Sequence, residues 1–380
     1  MKKTLKITAI TLAVLLGVLL LTVGGYVLYV VFQYDRIEDN LPLAVNGSAE
    51  ETVPAGKELK IVTFNIGFGA YAQDFSFFMD SGRMLTGEKV SGKYSKAKDR
   101  ATGEKVSGKY SKAKDRATVE KNTSGAVALA KEQAADFYFF QEVDTDADRS
   151  RHVNQYEYIV GQFGDYADTY AENFHSAKLL YPFNDPIGKS NSGIVTLSKY
   201  KIESAVRRQY PVDKGFAKFF DLDRCFSVHR LPVDNGREFV LINSHMSAYD
   251  EGGTIRQKQL ELLNGVLRSE YEKGNYVVVG GDFNHDIADS LDAFATRQEV
   301  PEWVFVLTDE DIAEHFSFAA AKNAPTCRST DMPYEKGVNY SVVLDGFIVS
   351  DNVQVVANEN IDGDFEFSDH NPAVMRFMLK

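Results

Sequence analysis

Two cysteines, Cys225 and Cys327, are the only thiols in 380 residues. They stand in no metal-ligand spacing, which excludes a zinc ribbon, and they are too few for a disulfide-dense scaffold. Whether they pair is open, because a separation of 102 positions says nothing about distance in space. No Gly-x-Ser-x-Gly run occurs, so the turn that raises the serine of an α/β-hydrolase is missing. Basic residues are in deficit: 42 Lys and Arg face 54 Asp and Glu, a net charge of −12. Tight non-specific wrapping of nucleic acid needs a basic footprint, and an acidic chain argues against it. A metal enzyme acting on phosphates stays open, because the ion supplies the missing positive charge. Hydrophobic residues make up 44% and charged residues 25%, which excludes a disordered or collagen-like chain and leaves material for a large core.

What is present begins with a long apolar run. Ile7 to Tyr34 carry no charge over 28 positions. At ~1.5 Å per residue such a helix exceeds the ~30 Å hydrocarbon layer. It is also far longer than the roughly 7–15 apolar residues of a signal peptide. No Ala-x-Ala site follows; no alanine lies between Ala13 and Ala44. The first 35 residues therefore read as an uncleaved signal anchor, with Thr22, Gly24 and Gly25 leaving cleavage open as a second reading. Lys2, Lys3 and Lys6 precede the run, and Asp35, Arg36, Glu38 and Asp39 follow it. Positive charge stays inside, so the remainder is expected outside the cytoplasm, held at the cell membrane by a single span. Residues 36–58, with Pro42, Gly47, Pro54 and Gly56, read as a linker.

From Leu59 onward short β-rich runs alternate with helical ones. Strands are expected at Leu59–Asn65, Phe137–Val143, Gly193–Ser198, Tyr276–Gly280, Val342–Ser350 and Ala373–Leu379. Cys225–Val233 and Glu238–His245 flank Asp234-Asn235-Gly236-Arg237, a hairpin signal. Helices are expected over Thr118–Ala135 and Thr254–Glu272, the latter with Leu260, Leu263 and Leu267 on one face. The mixture predicts an α/β or α+β domain with mixed sheets, and no break in composition divides residues 59–380.

One segment stands apart. Thr86–Ala101 reads TGEKVSGKYSKAKDRA, and Thr102–Ala117 repeats it letter for letter. Each copy carries five basic and two acidic residues, a net +3 in an acidic chain. Two copies with almost no apolar content cannot form a solenoid. The spacing predicts a long, mobile, basic surface loop over 86–117. Its bland reading is a duplicated loop without a role; its sharper reading is an electrostatic arm that draws in anionic substrate or lipid head groups. Arg207, Arg208 and the stretch from Lys214 to Lys218 read as solvated surface, and His229 as an ordinary strand residue.

Polar residues recur at the ends of apolar strands, where α/β folds place reactive groups. Asn65 ends the first strand, Gln141 and Glu142 sit at the end of the second, and His245 ends Phe239-Val-Leu-Ile-Asn-Ser-His. Asp282 and Asn284 follow Val277-Val-Val-Gly-Gly, Asp345 lies inside an apolar run, and Asp369 and His370 precede the last strand. Singly, most read as turn or cap residues. Asp345 differs, since a charge within an apolar strand is costly unless paired. Carboxylates, amides and imidazoles without thiolate suit Mg2+ or Mn2+. A carboxylate-held ion of that kind stabilises in-line displacement at phosphorus, a second carboxylate orients the water, and a His with an Asp partner handles protons.

In order, Asn65, Gln141-Glu142, Ser244-His245, Gly281-Asp282-Phe283-Asn284, Leu344-Asp345-Gly346-Phe347 and Ser368-Asp369-His370 resemble the endonuclease/exonuclease/phosphatase superfamily over residues 59–380. That superfamily includes pancreatic-type deoxyribonucleases, inositol-polyphosphate phosphatases and neutral sphingomyelinases. The resemblance implies two packed mixed β-sheets flanked by helices, a four-layer sandwich. It implies Glu142 as principal metal ligand, with Asn65 and Asp369 at or near the metal. It implies Asp282 as the group that orients the attacking water and Asn284 as a holder of a phosphoryl oxygen. His370 would bind the phosphate, oriented by Asp345, and His245 would protonate the leaving oxygen or stabilise the transition state.

The expectation is therefore a membrane-anchored, outward-facing, Mg2+-dependent phosphoesterase acting as a monomer on a phosphodiester or phosphomonoester. A lipid head group or an extracellular organic phosphate comes first as substrate. A nuclease acting on DNA or RNA is the alternative, and a non-catalytic anchored binding protein the second.

Overall fold

The computed structural model describes residues 2–85, 103–212, 222–248, 254–301 and 303–380. An apolar helix, α1 (Lys2–Gln33), leads to β1 (Leu41–Pro42) and β2 (Glu58–Asn65). Next come β3 (Ser81–Arg83), β4 (Lys105–Ser107), α2 (Arg116–Lys131), β5 (Phe137–Asp144) and α3 (Gln155–Gln162). They are followed by β6 (Ala167–His175), β7 (Asn191–Ser198), β8 (Ser204–Gln209), β9 (Cys225–Pro232) and β10 (Glu238–His245). The last third holds α4 (Thr254–Glu272), β11 (Tyr276–Asp282), β12 (Phe316–Ala319), β13 (Cys327–Arg328) and β14 (Ser341–Val342). It closes with β15 (Asp345–Ser350), β16 (Val353–Asn360) and β17 (Ala373–Leu379).

Two large mixed sheets form the body. One has the order β16-β17-β2-β5-β7-β6 and the other β1-β8-β9-β10-β11-β15-β12. Each is built around a central parallel pair, β2 with β5 and β10 with β11. Central strands are buried on both faces, which is why they read as continuous apolar runs. The period of two sorts β5: Phe137 and Phe139 enter the layer between the sheets, while Tyr138 and Phe140 face outward. Between the sheets these rings meet Phe239, Leu241, Val278, Phe347 and Met375. On the outer face of the six-stranded sheet, Ala126, Val127 and Ala130 of α2 and Ile159 of α3 cover Tyr138 and Phe140. On the far side Leu260, Leu263 and Leu267 of α4 cover Val277, Val279 and Ile242. The four layers are those expected.

Several boundaries differ from the sequence reading for local reasons. Helix α2 starts before Thr118 because Asp115 caps it, its carboxylate accepting the Thr118 N–H at 2.8 Å. It stops short of Ala135, where the chain turns through Ala134 at φ 47°. The run expected as one strand from Val342 divides, so that Asp345 opens β15 instead of lying inside it.

The polar stretch read as a linker lies against the body. Leu41 pairs with Arg207 of β8, Asn46 bridges to Asp168, and Val53 is fully buried beside Val233. Arg207, read as solvated, is buried instead. Its guanidinium donates to the carbonyls of Glu172, Ile37, Glu38 and Asp223, tying this stretch to β6 and β8. Lys214 to Lys218 fall outside the described residues, as do Thr86–Ala101, the first copy of the repeat, and Thr102. From Gly103 onward the second copy carries regular structure: it forms β4, buries Ala113 and supplies the cap Asp115. Both thiols are free and buried, Cys225 and Cys327 lying in separate clusters. His229 sits in β9 as read, with ring contacts to Thr169 and the Leu241 carbonyl.

Candidate active site

Strand register assembles the site. Parallel pairing sets His245 of β10 beside Asp282 of β11, and antiparallel pairing sets Asp282 opposite Asp345 of β15. In the other sheet Asn65 of β2 lies beside Gln141 of β5. These strands end at one edge of the sandwich, and Asn65 crosses between the sheets, its Nδ2 donating to Asp282 Oδ2 at 3.0 Å. Gln141 makes a second buried crossing, donating to Asn243 Oδ1 at 2.8 Å.

Local backbone geometry aims the side chains. The β5–β7 register shifts between Phe140 and Val143, and Glu142 within that irregularity has φ 55°. Such a bulge turns one side chain away from the strand's alternation. Here it brings Glu142 Oε1 to 3.4 Å from Asn65 Nδ2 and 4.0 Å from His245 Nε2. Gly281 has φ 151°, and a Cβ there would meet the Ser244 carbonyl oxygen at 1.9 Å, so the approach of β11 to β10 before Asp282 requires glycine.

Asp282 is the hub. Its Oδ1 accepts the Asn284 N–H at 2.8 Å, and its Oδ2 lies 3.5 Å from His245 Nε2 and 3.8 Å from His370 Nε2. Asn284 donates its side-chain amide to the Met246 carbonyl at 2.8 Å. His370 Nδ1 meets Asp345 Oδ2 at 2.8 Å. Burial disfavours charge on His370, but Asp345, Cys327 and Asp282 together outweigh it and raise the imidazole well above its ordinary value. Burial, then Arg224, His370 and Arg149, push His245 well below its ordinary value. The Asp345 carboxylate thus favours the charged form of His370, whereas burial and neighbouring positive charge favour the neutral form of His245. Burial, reinforced by Glu142 but opposed by His370 and Arg328, raises Asp369 to about 7.

All eight residues expected at the site lie at this edge or are electrostatically coupled to it. Three further side chains escaped the sequence reading. Arg224, just before β9, places Nη1 against His245 Nε2. Asn173 of β6 faces His245 Nδ1 at 3.4 Å. Its carbonyl oxygen is buried without a partner, and turning the amide over would give Nδ1–H an acceptor while Nε2 accepts from Arg224. Arg149 is buried, forks onto Asp144 at 2.8 and 3.0 Å, and stacks 4.0 Å from the Phe68 ring. None belongs to a motif; only the fold brings these strands to the site.

The donors present fit a hard divalent cation. Ligand atoms of Asp282, Asp345 and His370 lie within 4.8 Å of one another, and Asp345 Oδ1 is buried without a hydrogen-bond partner. Glu142 and Asp369 add two more carboxylates to this edge.

No curated protein matches this sequence. Among solved structures, the endonuclease/exonuclease/phosphatase from Beutenbergia cavernae DSM 12333 is similar at 14% identity and TM-score 0.51, over 85% of this chain and 72% of that one. A family protein from Leptotrichia buccalis C-1013-b is similar at 14% identity and TM-score 0.50, over 84% of this chain and 99% of its own. These likenesses show the shared fold. The model of the Endonuclease/Exonuclease/phosphatase family matches residues 62–370, which take in every residue of the site, and the chain belongs to that family.

Proposed function

We propose that this chain is a Mg2+-dependent phosphoesterase, anchored in a membrane by α1 and facing outward, that hydrolyses a phosphodiester or phosphomonoester by metal-assisted attack of water. The observation that carries the reading is the single cluster in which Asp282 stands between His370, paired with Asp345, and His245. Two imidazoles whose proton affinities are pushed in opposite directions around one carboxylate suit acid–base work on an anionic substrate.

A divalent cation held by Glu142, with Asn65 and Asp369 beside it, would supply Lewis-acid stabilisation of the developing charge. Asp282, braced by the Asn65 amide and the Asn284 N–H, orients the water and takes its proton. His370 donates from Nε2 to a phosphoryl oxygen, because Asp345 occupies Nδ1. Asn284 supplies a second contact to the phosphoryl group. Of the two roles expected for His245, protonating the leaving oxygen is the one that burial and the Arg224 charge disfavour, since both lower its affinity for a proton. Helix α1 is long and apolar enough to cross a membrane, with a mean hydropathy of 2.5 over an 18-residue window within Lys3–Gln33, and three lysines precede the uncharged run.

The test is turnover of a nitrophenyl phosphodiester by the purified chain. Activity should appear with Mg2+, stop with EDTA and return on adding Mg2+. Asp282→Ala should lower kcat by roughly 10³-fold, in the range of lost acid–base catalysis, while circular dichroism stays native. A variant that retains wild-type turnover would refute the role of Asp282.

A further inference from the structure

The end of α1 touches the same edge of the sandwich that carries the site. Tyr26 and Tyr29 lie in the last turns of α1. Tyr26 Oη donates to the Lys178 carbonyl at 3.3 Å and accepts the Leu180 N–H at 2.9 Å, while Tyr29 Oη accepts the Lys178 N–H at 3.2 Å. Two short routes continue to His245. His175 contacts the Asp35 carbonyl, and Asn173 lies two residues back along β6, about 7 Å of strand away, against His245. Arg36 Nε lies 3.7 Å from Asp223, whose neighbour Arg224 contacts the same imidazole.

The depth of this contact follows from helix geometry. Counting from Ile7, just beyond Lys6, about 20 helical residues cross the ~30 Å hydrocarbon layer and end at Tyr26. Tyr26 and Tyr29 then sit at the outer membrane–water boundary, where aromatic belts form. The segment bonded to them carries large apolar groups in the open: Phe183 is 86% exposed, Tyr181 57% and Leu180 42%. Tyr181 packs on Phe183 and on Phe78, beside Met79, which is 56% exposed. Exposed lysines 178 and 189 flank this segment, and Lys112 of the second repeat copy pairs with Asp185 within it at 2.9 Å. Apolar side chains rimmed by lysine, in a chain of net charge −12, are the composition of a lipid-facing surface.

Resting on the anchored-phosphoesterase reading, we propose that the 178–183 segment and Met79 seat in the interface of the bilayer crossed by α1. The catalytic edge then opens onto that bilayer's own phosphate-bearing head groups. Lipid contact covers the apolar side chains, and the lysines meet anionic head groups.

The full chain, reconstituted into phosphatidylcholine–phosphatidylglycerol vesicles, tests this. Phe183→Trp adds one indole to the native Trp303, and the wild-type chain is the reference. The added emission should be blue-shifted and quenched when the phosphatidylcholine carries brominated acyl chains. Emission of a water-exposed indole, unquenched, overturns the proposal. In a second arm, Leu180→Ser/Tyr181→Ser/Phe183→Ser should lose about tenfold or more of wild-type turnover on phosphatidylglycerol in vesicles while keeping its rate on the soluble nitrophenyl diester. Equal turnover of vesicle lipid by both chains overturns the head-group assignment. A wild-type chain inactive on both the soluble diester and vesicle lipid refutes the phosphoesterase reading and the head-group assignment with it, and the quenching still decides the seat.

Discussion

Asp345 is fully buried, and its nearest cationic partner is His370 at 2.8 Å. Removing one member of a buried pair leaves the other without compensation, at about 3–5 kcal/mol. Asp345→Asn should therefore lower stability by about 3 kcal/mol in urea melts and reduce kcat by roughly 10²-fold, through a misoriented imidazole. Wild-type kcat in this variant would separate Asp345 from the chemistry. His229 makes a different prediction. Burial lowers its pKa to about 4, while an unfolded chain returns it to about 6.5. The unfolded state thus binds the proton more readily, so stability falls as pH drops below about 6.5 and levels off below about 4. The loss amounts to about 3 kcal/mol. Replacing His229 with Gln should flatten the slope of Tm between pH 7 and pH 5; an unchanged slope would assign that acid sensitivity to other groups.

At the scale of elements, the repeat and the bulge carry the argument. Strands β3 and β4 pair Ser81 with Ser107 and Arg83 with Lys105, and the Met84 N–H meets the Glu104 carbonyl at 3.0 Å. Deleting residues 86–101 would join these strands through Met84, Leu85, Thr102, Gly103 and Glu104, within ordinary hairpin loop length. The deletion should leave Tm and kcat/KM on the soluble diester unchanged. A large fall in Tm would show that the fold needs both copies, and a fall in kcat/KM confined to low salt would restore the electrostatic arm. The central strands were legible from their apolar runs, β10 and β17 to the residue. Strands β6, β8 and β16 were not, because their polar residues obscure the pattern. Arg207 in β8 is a buried charge that only its four carbonyl partners make tolerable. Glu142 was legible as a strand-end carboxylate, but its aim into the site depends on a bulge that no residue of β5 announces.

For the molecule as a whole, the position of the proposed anchor α1 matters most. With three lysines before the uncharged run and acidic residues after it, protease added to intact cells should remove the C-terminal bulk and leave a short membrane-held fragment. Full protection would reverse the proposed orientation. By itself the sequence determined the long apolar helix, the mixed α/β architecture and the type and order of the polar strand ends, because hydrophobic periodicity and charge are local properties of the chain. Tertiary structure alone decided that Asn65 bridges two sheets to reach Asp282, that Arg224 and Asn173 frame His245, and that the exit of α1 lies against the catalytic edge. Those contacts join residues tens to hundreds of positions apart, and only strand register and the stacking of the two sheets bring them within bonding distance.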